Sequence, residues 1–244
     1  SRVSALLSGD VDVINAVPTT EMERLSEDDN IDMVQTESNR VIFWVPDIAR
    51  EDTPHVRGND GSKIKNPMSD LRVRQAFTLA IDRDGIVDDV MQGWAVPANQ
   101  VVPEQLGGHN PDIEIPDYNL DKARKLMAEA GYADGFKMTI HGTNNRYIND
   151  GKLAQAVGQM LARLNIDVTV ETQPVTGYYN KARGKEMSMF MVGWGSTSGE
   201  ASKVMRPALT SGSINNYGGY ENKKFNEIFT EASQTLDDEK RNQL

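Results

Sequence analysis

The 244-residue sequence contains no cysteine and only three histidines. The lack of cysteine excludes disulfides, thiolate metal sites and cysteine nucleophiles. His55, His109 and His141 do not show the short, regular spacing of a metal-binding helix such as His-x-x-x-His. We therefore expect no metal site and no other cofactor.

The sequence also lacks long apolar runs and an excess of positive charge. No apolar segment approaches the roughly 20 residues that a membrane-spanning helix needs. The 26 Lys and Arg residues are outnumbered by 36 Asp and Glu residues, which gives a formal net charge of -10. Such a balance repels nucleic-acid phosphates unless basic residues form a patch, and no such patch is visible. We expect neither a membrane span nor a nucleic-acid partner.

Common catalytic motifs are missing as well. The sequence has no Gly-x-Ser-x-Gly nucleophile elbow and no Gly-x-x-x-x-Gly-Lys phosphate loop. A glycosidase requires only two carboxylates, so the many acidic residues leave a hydrolase open as the alternative function. No particular pair of carboxylates is singled out by its position.

Helical and strand patterns alternate along the chain, which predicts an α/β fold with a mixed sheet flanked by helices. The strongest helical pattern follows the polar loop 46–69, and the most apolar strand covers 187–192. Helices are predicted at 1–8, from Thr20 onwards, at 73–81, 86–91, 121–130, 152–164, 177–185 and 225–232, and after Asp238. Strands are predicted at 11–14, 31–34, 41–45, 136–140, 166–171 and 187–192.

Several phrases in a fixed order resemble extracellular solute-binding protein family 5, the peptide-, dipeptide- and nickel-binding components of bacterial ABC transporters. They extend over essentially the whole chain and read Ala-Leu-Leu-Ser-Gly-Asp-Val-Asp-Val from Ala5, Leu-Arg-Val-Arg-Gln-Ala-Phe from Leu71, Ala-Ile-Asp-Arg from Ala80, Gly-Trp-Ala-Val-Pro-Ala from Gly93, Ala-Glu-Ala-Gly-Tyr from Ala128, Gly-Trp-Gly from Gly193, and Asn216-Tyr217.

The resemblance implies one lobe of a two-lobed, type II (cluster C-like) periplasmic binding protein. On that plan residues 1–41 are a remnant of the first lobe that leads into a hinge strand. Residues 42–244 form the second, C-terminal lobe, which ends before the return strand. The signal sequence and most of the first lobe are then absent from the chain.

The function implied by this resemblance is that of a receptor and not of an enzyme. We expect a peptide or similar small solute to bind between the lobes and to be delivered to the permease subunits of an ABC importer. No cofactor is needed for this activity. The protein is then a monomer in the periplasm or outside the cell, either free or anchored by a lipid. A structural or signalling module without a ligand is a third, weaker reading.

The candidate ligand-binding residues lie mainly at the end of the apolar strand. Trp194 and Gly195 come directly after that strand, and clefts of α/β proteins open at the carboxyl ends of strands. The alternative for Trp194 is a core aromatic residue at a strand end. Thr197 and Ser198 follow in a polar loop whose hydroxyls could bind a ligand, or which is a plain turn.

Two further segments supply candidates. Arg146 and Tyr147 resemble the segment in which dipeptide binders place an arginine for the ligand carboxylate, a group that guanidinium matches in geometry. An exposed loop arginine without a ligand is the alternative. Asn216 is placed in the cleft by the resemblance, unless it only shapes the turn that contains Gly218 and Gly219.

At Thr197 the sequence departs from the resemblance. Peptide binders of the family commonly place an aspartate in this loop for the α-ammonium group of the ligand. A neutral hydroxyl does not replace a carboxylate that faces a buried ammonium group. Either Glu200 takes that role or the ligand is not a conventional peptide.

Overall fold

A computed structural model describes residues 1–244. The helices are α1 Arg2–Leu7, α2 Met22–Ser26, α3 Leu71–Ala80, α4 Arg83–Gly85, α5 Leu120–Glu129, α6 Asp150–Ala162, α7 Tyr178–Arg183, α8 Ser202–Leu209, α9 Lys223–Gln234 and α10 Asp238–Gln243. The strands are β1 Arg40–Pro46, β2 Val56–Arg57, β3 Lys137–Thr143, β4 Asp167–Gln173 and β5 Met189–Gly195. Short 3-10 turns cover Thr19–Glu21 and Pro67–Ser69, and a π turn covers Ile86–Val90.

The five strands form one mixed sheet, as the alternating pattern predicts. β5 lies between β1, to which it is antiparallel, and β3, to which it is parallel. β4 runs parallel to β3 along its other side, while the short β2 pairs antiparallel with the beginning of β3. The carboxyl ends of β3, β4 and β5 therefore lie at the same edge of the sheet.

Two predicted strands, at 11–14 and 31–34, are wrong. Both segments are irregular and lie outside the sheet, and the side chains of Val13 and Val34 are 84% and 96% exposed. A β-branched run becomes a strand only when a neighbouring strand satisfies its backbone groups. Neither segment has such a neighbour.

Side chains at helix starts determine where several helices begin. The Oδ1 atom of Asp70 accepts a hydrogen bond from the backbone N–H of Arg72 at 2.8 Å at the start of α3. Asn119 caps α5 by accepting from the N–H of Lys122 at 2.9 Å. Such caps satisfy N–H groups that have no partner inside the helix.

One face of the sheet is covered by α3, α5 and α6. Sixteen buried residues form its core, among them Met138 and Ile140 of β3 and Leu161 of α6. Gly158 lets α6 lie close to β4, because a Cβ at that position would stand 2.5 Å from a methyl carbon of Val170. This face is a closed apolar layer.

The opposite face carries α7 and a smaller cluster of buried residues. Tyr178 and Ala182 of α7 pack there against Phe190 and Val192 of β5, together with Met187. Partly exposed aromatic side chains continue this layer towards the edge at which the parallel strands end: Phe43, Tyr179, Trp194 and Tyr217. No helix in the structure is both long and apolar enough to pass through a bilayer.

Candidate functional site

The residues predicted to bind ligand collect at the edge where the parallel strands end. Arg146 and Tyr147 follow the last residue of β3, and Trp194 and Gly195 are the last residues of β5. Thr197 and Ser198 continue directly from β5. Because the carboxyl ends of parallel strands meet at one edge, residues that are about 50 positions apart in sequence become neighbours.

Trp194 is half-buried and lies on the face of the sheet that α7 covers. It pairs with Val41 of β1 across the antiparallel ladder and packs against the small apolar cluster beside Tyr179 and Tyr217. Its indole is therefore neither enclosed in the core nor free in solvent. A side chain in this position can give one face to a ligand while the other stays fixed by the protein.

The strands β3 and β5 separate as they approach this edge. They pair only at Ile140 with Met189 and at His141 with Phe190. The hydroxyl of Tyr178 bridges them further on, since its oxygen lies 2.9 Å from the carbonyl oxygen of His141 and 3.0 Å from that of Met191. A buried side chain thus replaces backbone pairing where the sheet opens.

Tyr147 fills the next part of the opening. Its hydroxyl oxygen accepts a hydrogen bond from the N–H of Gly193 at 2.8 Å, a backbone group of β5 that has no strand partner on that side. A Cβ at Gly193 would lie 2.6 Å from a ring carbon of Tyr147, so only glycine permits this contact. Tyr147 is consequently fixed in place before any ligand arrives.

An aromatic row extends from Tyr147 across the site. The hydroxyl oxygens of Tyr147 and Tyr179 are 2.6 Å apart, and the rings of Tyr179 and Tyr217 stack with centroids separated by 6.4 Å. Burial, followed by the contact with Tyr147, raises the pKa of Tyr179 above its usual value. The hydroxyl of Tyr179 therefore stays protonated at neutral pH and can form hydrogen bonds without carrying charge.

Arg146 is exposed at one end of this row. Its guanidinium carbon lies 5.6 Å from the ring centroid of Tyr147, which is a cation–π distance. It forms no ion pair with an acidic side chain. The guanidinium group is thus held over an aromatic ring with its donors directed to solvent, an arrangement suited to an anionic partner.

Asp150, at the start of α6, positions this loop and was not singled out from the sequence. Its side chain is buried, and Oδ2 accepts hydrogen bonds from the Thr143 hydroxyl at 2.7 Å and from the N–H groups of Arg146 and Tyr147 at 2.9 and 3.1 Å. The signal that could have found it is an acidic residue at the first turn of a predicted helix.

The loop after β5 is organised by Ser196. The Ser196 Oγ atom is buried and accepts hydrogen bonds from the N–H groups of Ser198 and Glu200 at 3.3 and 3.1 Å. The side chains of Thr197 and Ser198 are left exposed to solvent. The loop is a turn, which is one of the two interpretations that the sequence allows. It presents two hydroxyl-bearing side chains beside Trp194.

Asn216 is largely occupied by its own loop. Its amide nitrogen donates to the carbonyl oxygens of Thr210 and Tyr220 at 3.2 and 2.7 Å, and its oxygen accepts from the N–H of Tyr220 at 2.9 Å. These contacts fix the turn that carries Tyr217. They agree with the second interpretation of the sequence, in which Asn216 shapes a turn. No group of three or more side chains with metal-binding chemistry is assembled in the structure.

Comparison with known proteins identifies the family to which this chain belongs. Residues 1–216 match the model described as bacterial extracellular solute-binding proteins, family 5 Middle. The chain belongs to this family. As a family 5 chain it has the expected fold class, a mixed sheet flanked by helices as in the type II periplasmic binding proteins.

The relatives of this family 5 chain are binding proteins. It is 28% identical to the dipeptide-binding protein of Escherichia coli and 27% identical to heme-binding protein A of Haemophilus influenzae, in both cases over 74% of the chain. It covers 35% and 34% of those two proteins. The dipeptide-binding protein of Pseudoalteromonas sp. SM9913, solved with Met-Leu, matches 99% of the chain with a TM-score of 0.83 and 23% identity.

The chain spans less than half the length of these relatives, including 46% of the Pseudoalteromonas protein. Solute-binding proteins of family 5 are periplasmic or extracellular. The relatives described above are named for the solutes that they bind, heme and dipeptides.

Proposed function

We propose that this chain is the ligand-binding lobe of the receptor for an ABC importer. The receptor takes up a peptide or similar small solute outside the cytoplasmic membrane and delivers it to the permease subunits. The observation that carries the proposal is the open edge of the sheet, where Trp194, Tyr147 and Arg146 meet at the carboxyl ends of two parallel strands. Family membership and the binding proteins among the relatives support it.

In this proposal residues 1–41 belong to a first lobe and residues 42–244 form the second lobe. The chain covers 34 to 46% of the length of these relatives, a share that one lobe of a two-lobed protein would have. β1 begins at the site, since Arg40 pairs with Gly195, and it serves as a hinge strand between the lobes. The receptor is a monomer and is either free or tethered by a lipid.

In this proposal each side chain has a different role in recognition of the solute. Arg146 meets an anionic group of the solute, and the rings of Trp194 and Tyr147 form apolar walls. Gly195, Thr197 and Ser198 contribute backbone groups and hydroxyls. Asn216 contributes by holding the loop of Tyr217, because its amide already has partners.

Binding and release follow from closure of the lobes. A solute held at this edge of the second lobe makes additional contacts when the first lobe closes on it, and those contacts favour the closed form. Closure removes water from the polar groups of the solute, so each group needs a matched partner, and solutes with unmatched groups are rejected. The solute leaves chemically unchanged, and a separate ATPase supplies the energy for transport.

The test is titration calorimetry of the full-length protein with a peptide panel, with mass spectrometry of the solute afterwards. We expect Trp194→Ala and Arg146→Ala each to weaken binding about tenfold or more, which corresponds to about 1.4 kcal/mol or more. Both variants should keep the wild-type melting temperature. Trp194→Phe retains an aromatic wall and should recover part of the affinity.

Arg163→Ala is the matched control for the loss of a guanidinium group. Arg163 follows the other end of α6, a helix of 13 residues and thus about 20 Å long. Its removal should leave affinity unchanged. Wild-type affinity in both Trp194→Ala and Arg146→Ala would refute the site, and turnover of the solute would favour the hydrolase alternative.

A further inference from the structure

The charged groups at the site are unbalanced. Three loops follow the parallel strands β3, β4 and β5, at residues 144–149, 174–177 and 196–201. Their only basic residue is Arg146, which has no acidic partner. Arg40, which begins β1 at this edge, is also exposed and forms no ion pair. A solute at this edge therefore meets positive charge that no acidic side chain neutralises.

The nearby carboxylates are already engaged. Asp150 is buried, and both of its oxygens accept hydrogen bonds, three from Thr143, Arg146 and Tyr147 and one from the N–H of Gly151 at 2.9 Å. Glu200, the only acidic residue of the three loops, lies 3.5 Å from the guanidinium group of Arg241. Asp150 is thus fully occupied, and the half-exposed carboxylate of Glu200 already has a cationic partner.

The remaining groups of the β5 loop are neutral. Thr197 and Ser198 present exposed hydroxyls, and the hydroxyl of Tyr179 stays uncharged because burial raises its pKa. The acidic residue that precedes β1 is the exposed Glu37, which lies three positions before Arg40 in the sequence. A hydroxyl pairs well with an amide or acyl group but does not neutralise a desolvated ammonium group.

We propose that the solute bears a carboxylate for Arg146 and a neutral acyl or amide group, in place of a free ammonium group, where it meets the loop of Thr197 and Ser198. N-acylated peptides and N-acyl amino acids are the class with this chemistry. The inference rests on the proposed function and specifies the substrate class of the same site. Its physical basis is that an ammonium group enclosed without a carboxylate partner costs more free energy than a neutral group with hydrogen-bond partners.

The experiment presents the full-length protein with one mixed-sequence dipeptide library in three forms: unmodified, N-acetylated, and N-acetylated with an amidated C-terminus. Retained molecules are quantified by mass spectrometry after gel filtration. We expect the N-acetylated acids to be retained about tenfold or more above the other two forms. Tenfold corresponds to about 1.4 kcal/mol, which is within the range of one unmatched polar group.

Thr197→Asp and Thr197→Asn sharpen the test. Thr197 is exposed on a loop, so neither change disturbs the core. The aspartate adds the missing carboxylate and should raise retention of unmodified dipeptides relative to N-acetylated ones. The asparagine has the same shape without the charge and should leave the wild-type preference in place.

The outcomes separate the two proposals. Equal or better retention of unmodified dipeptides by the wild-type protein overturns the substrate class but leaves the receptor function intact. Equal retention of the amidated form removes the role of Arg146 as anion partner and also overturns the class. If no library and no component of a bacterial growth medium is retained, the receptor function fails as well.

Discussion

The two faces of the sheet differ in how they are closed. The face under α3, α5 and α6 is a continuous apolar layer of sixteen buried residues. The face under α7 has five buried residues, and beyond them aromatic side chains are only partly covered. Tyrosine hydroxyls on that side take over hydrogen bonds that a regular sheet would make between strands.

This difference indicates how one sheet can provide both a stable core and a surface for binding. Apolar packing supplies most of the stability of a domain, and it works best where water is excluded completely. A binding site needs surface that is fixed in shape yet remains open. In the function proposed above, the closed face meets the first requirement and the end of the α7 face meets the second, so changes on the two faces should have different consequences.

The largest effect is expected for Leu161→Ala on the closed face. Leu161 is fully buried in the sixteen-residue core, so its truncation leaves a cavity. We expect the free energy of unfolding to fall by about 2–5 kcal/mol, measured by urea denaturation. Leu236→Ala is the control, because Leu236 is 95% exposed, and it should change stability by less than about 0.5 kcal/mol. A loss as small in Leu161→Ala as in the control would contradict the contrast between the faces.

A smaller effect is expected for Tyr178→Phe on the α7 face. The change keeps the ring but removes the hydroxyl that lies between the carbonyl oxygens of His141 and Met191. Leaving such buried acceptors without a partner should lower the free energy of unfolding by about 1–3 kcal/mol.

Tyr118→Phe provides the comparison for Tyr178→Phe. The hydroxyl of Tyr118 accepts one hydrogen bond from Arg163 on an exposed surface, so its loss should be nearly neutral. If the two variants were equally stable, the hydroxyl of Tyr178 would not hold β3 and β5 together.

The smallest effect concerns the pH dependence of stability. His141 of β3 is buried on the α7 side, its Nδ1 atom has no hydrogen-bond partner, and its ring meets that of His55 edge-on at 4.6 Å. Burial, followed by the charge of His55, lowers the pKa of His141, while Glu171 opposes this shift and Lys181 adds to it. The folded state therefore favours neutral His141.

The sign of the pH effect follows from the lowered pKa. The unfolded state binds the proton more readily, with a pKa near 6.5, so the stabilisation is complete above about pH 6.5 and is lost as pH falls through the folded pKa. Urea denaturation between pH 7.5 and 5 should show this loss in the wild-type protein and a flatter profile in His141→Gln. Identical profiles would assign the pH dependence to other groups.

The periodic segments could be predicted from sequence. The apolar spacing of Val73, Ala76 and Phe77 predicts α3, and the run from Met187 to Val192 predicts the central strand β5. The strands predicted at 11–14 and 31–34 failed, and α8 was missed, because short segments take their conformation from neighbours that a local pattern does not contain. The two-residue β2 inside the loop 46–69 was missed for the same reason.

For the candidate site, the sequence indicated which residues to consider but not how they are held. Arg146, Tyr147 and Trp194 were chosen from their positions after strands and from the family resemblance. The partner atoms of Tyr147, which are the N–H of Gly193 and the hydroxyl of Tyr179, lie more than 30 residues away in the chain. No spacing rule connects residues at that separation, so the aromatic row and the role of Asp150 were not predicted.

The sequence by itself determined the alternation of helices and strands, the α/β class and the family, because these depend on local periodicity and on ordered phrases along the chain. Only the tertiary structure decided that β3 and β5 separate at the site, that tyrosine hydroxyls bridge them, and that Arg146 remains without an acidic partner. Those features arise from the close approach of distant segments, where the fit of side chains and the pairing of buried polar groups are settled in three dimensions.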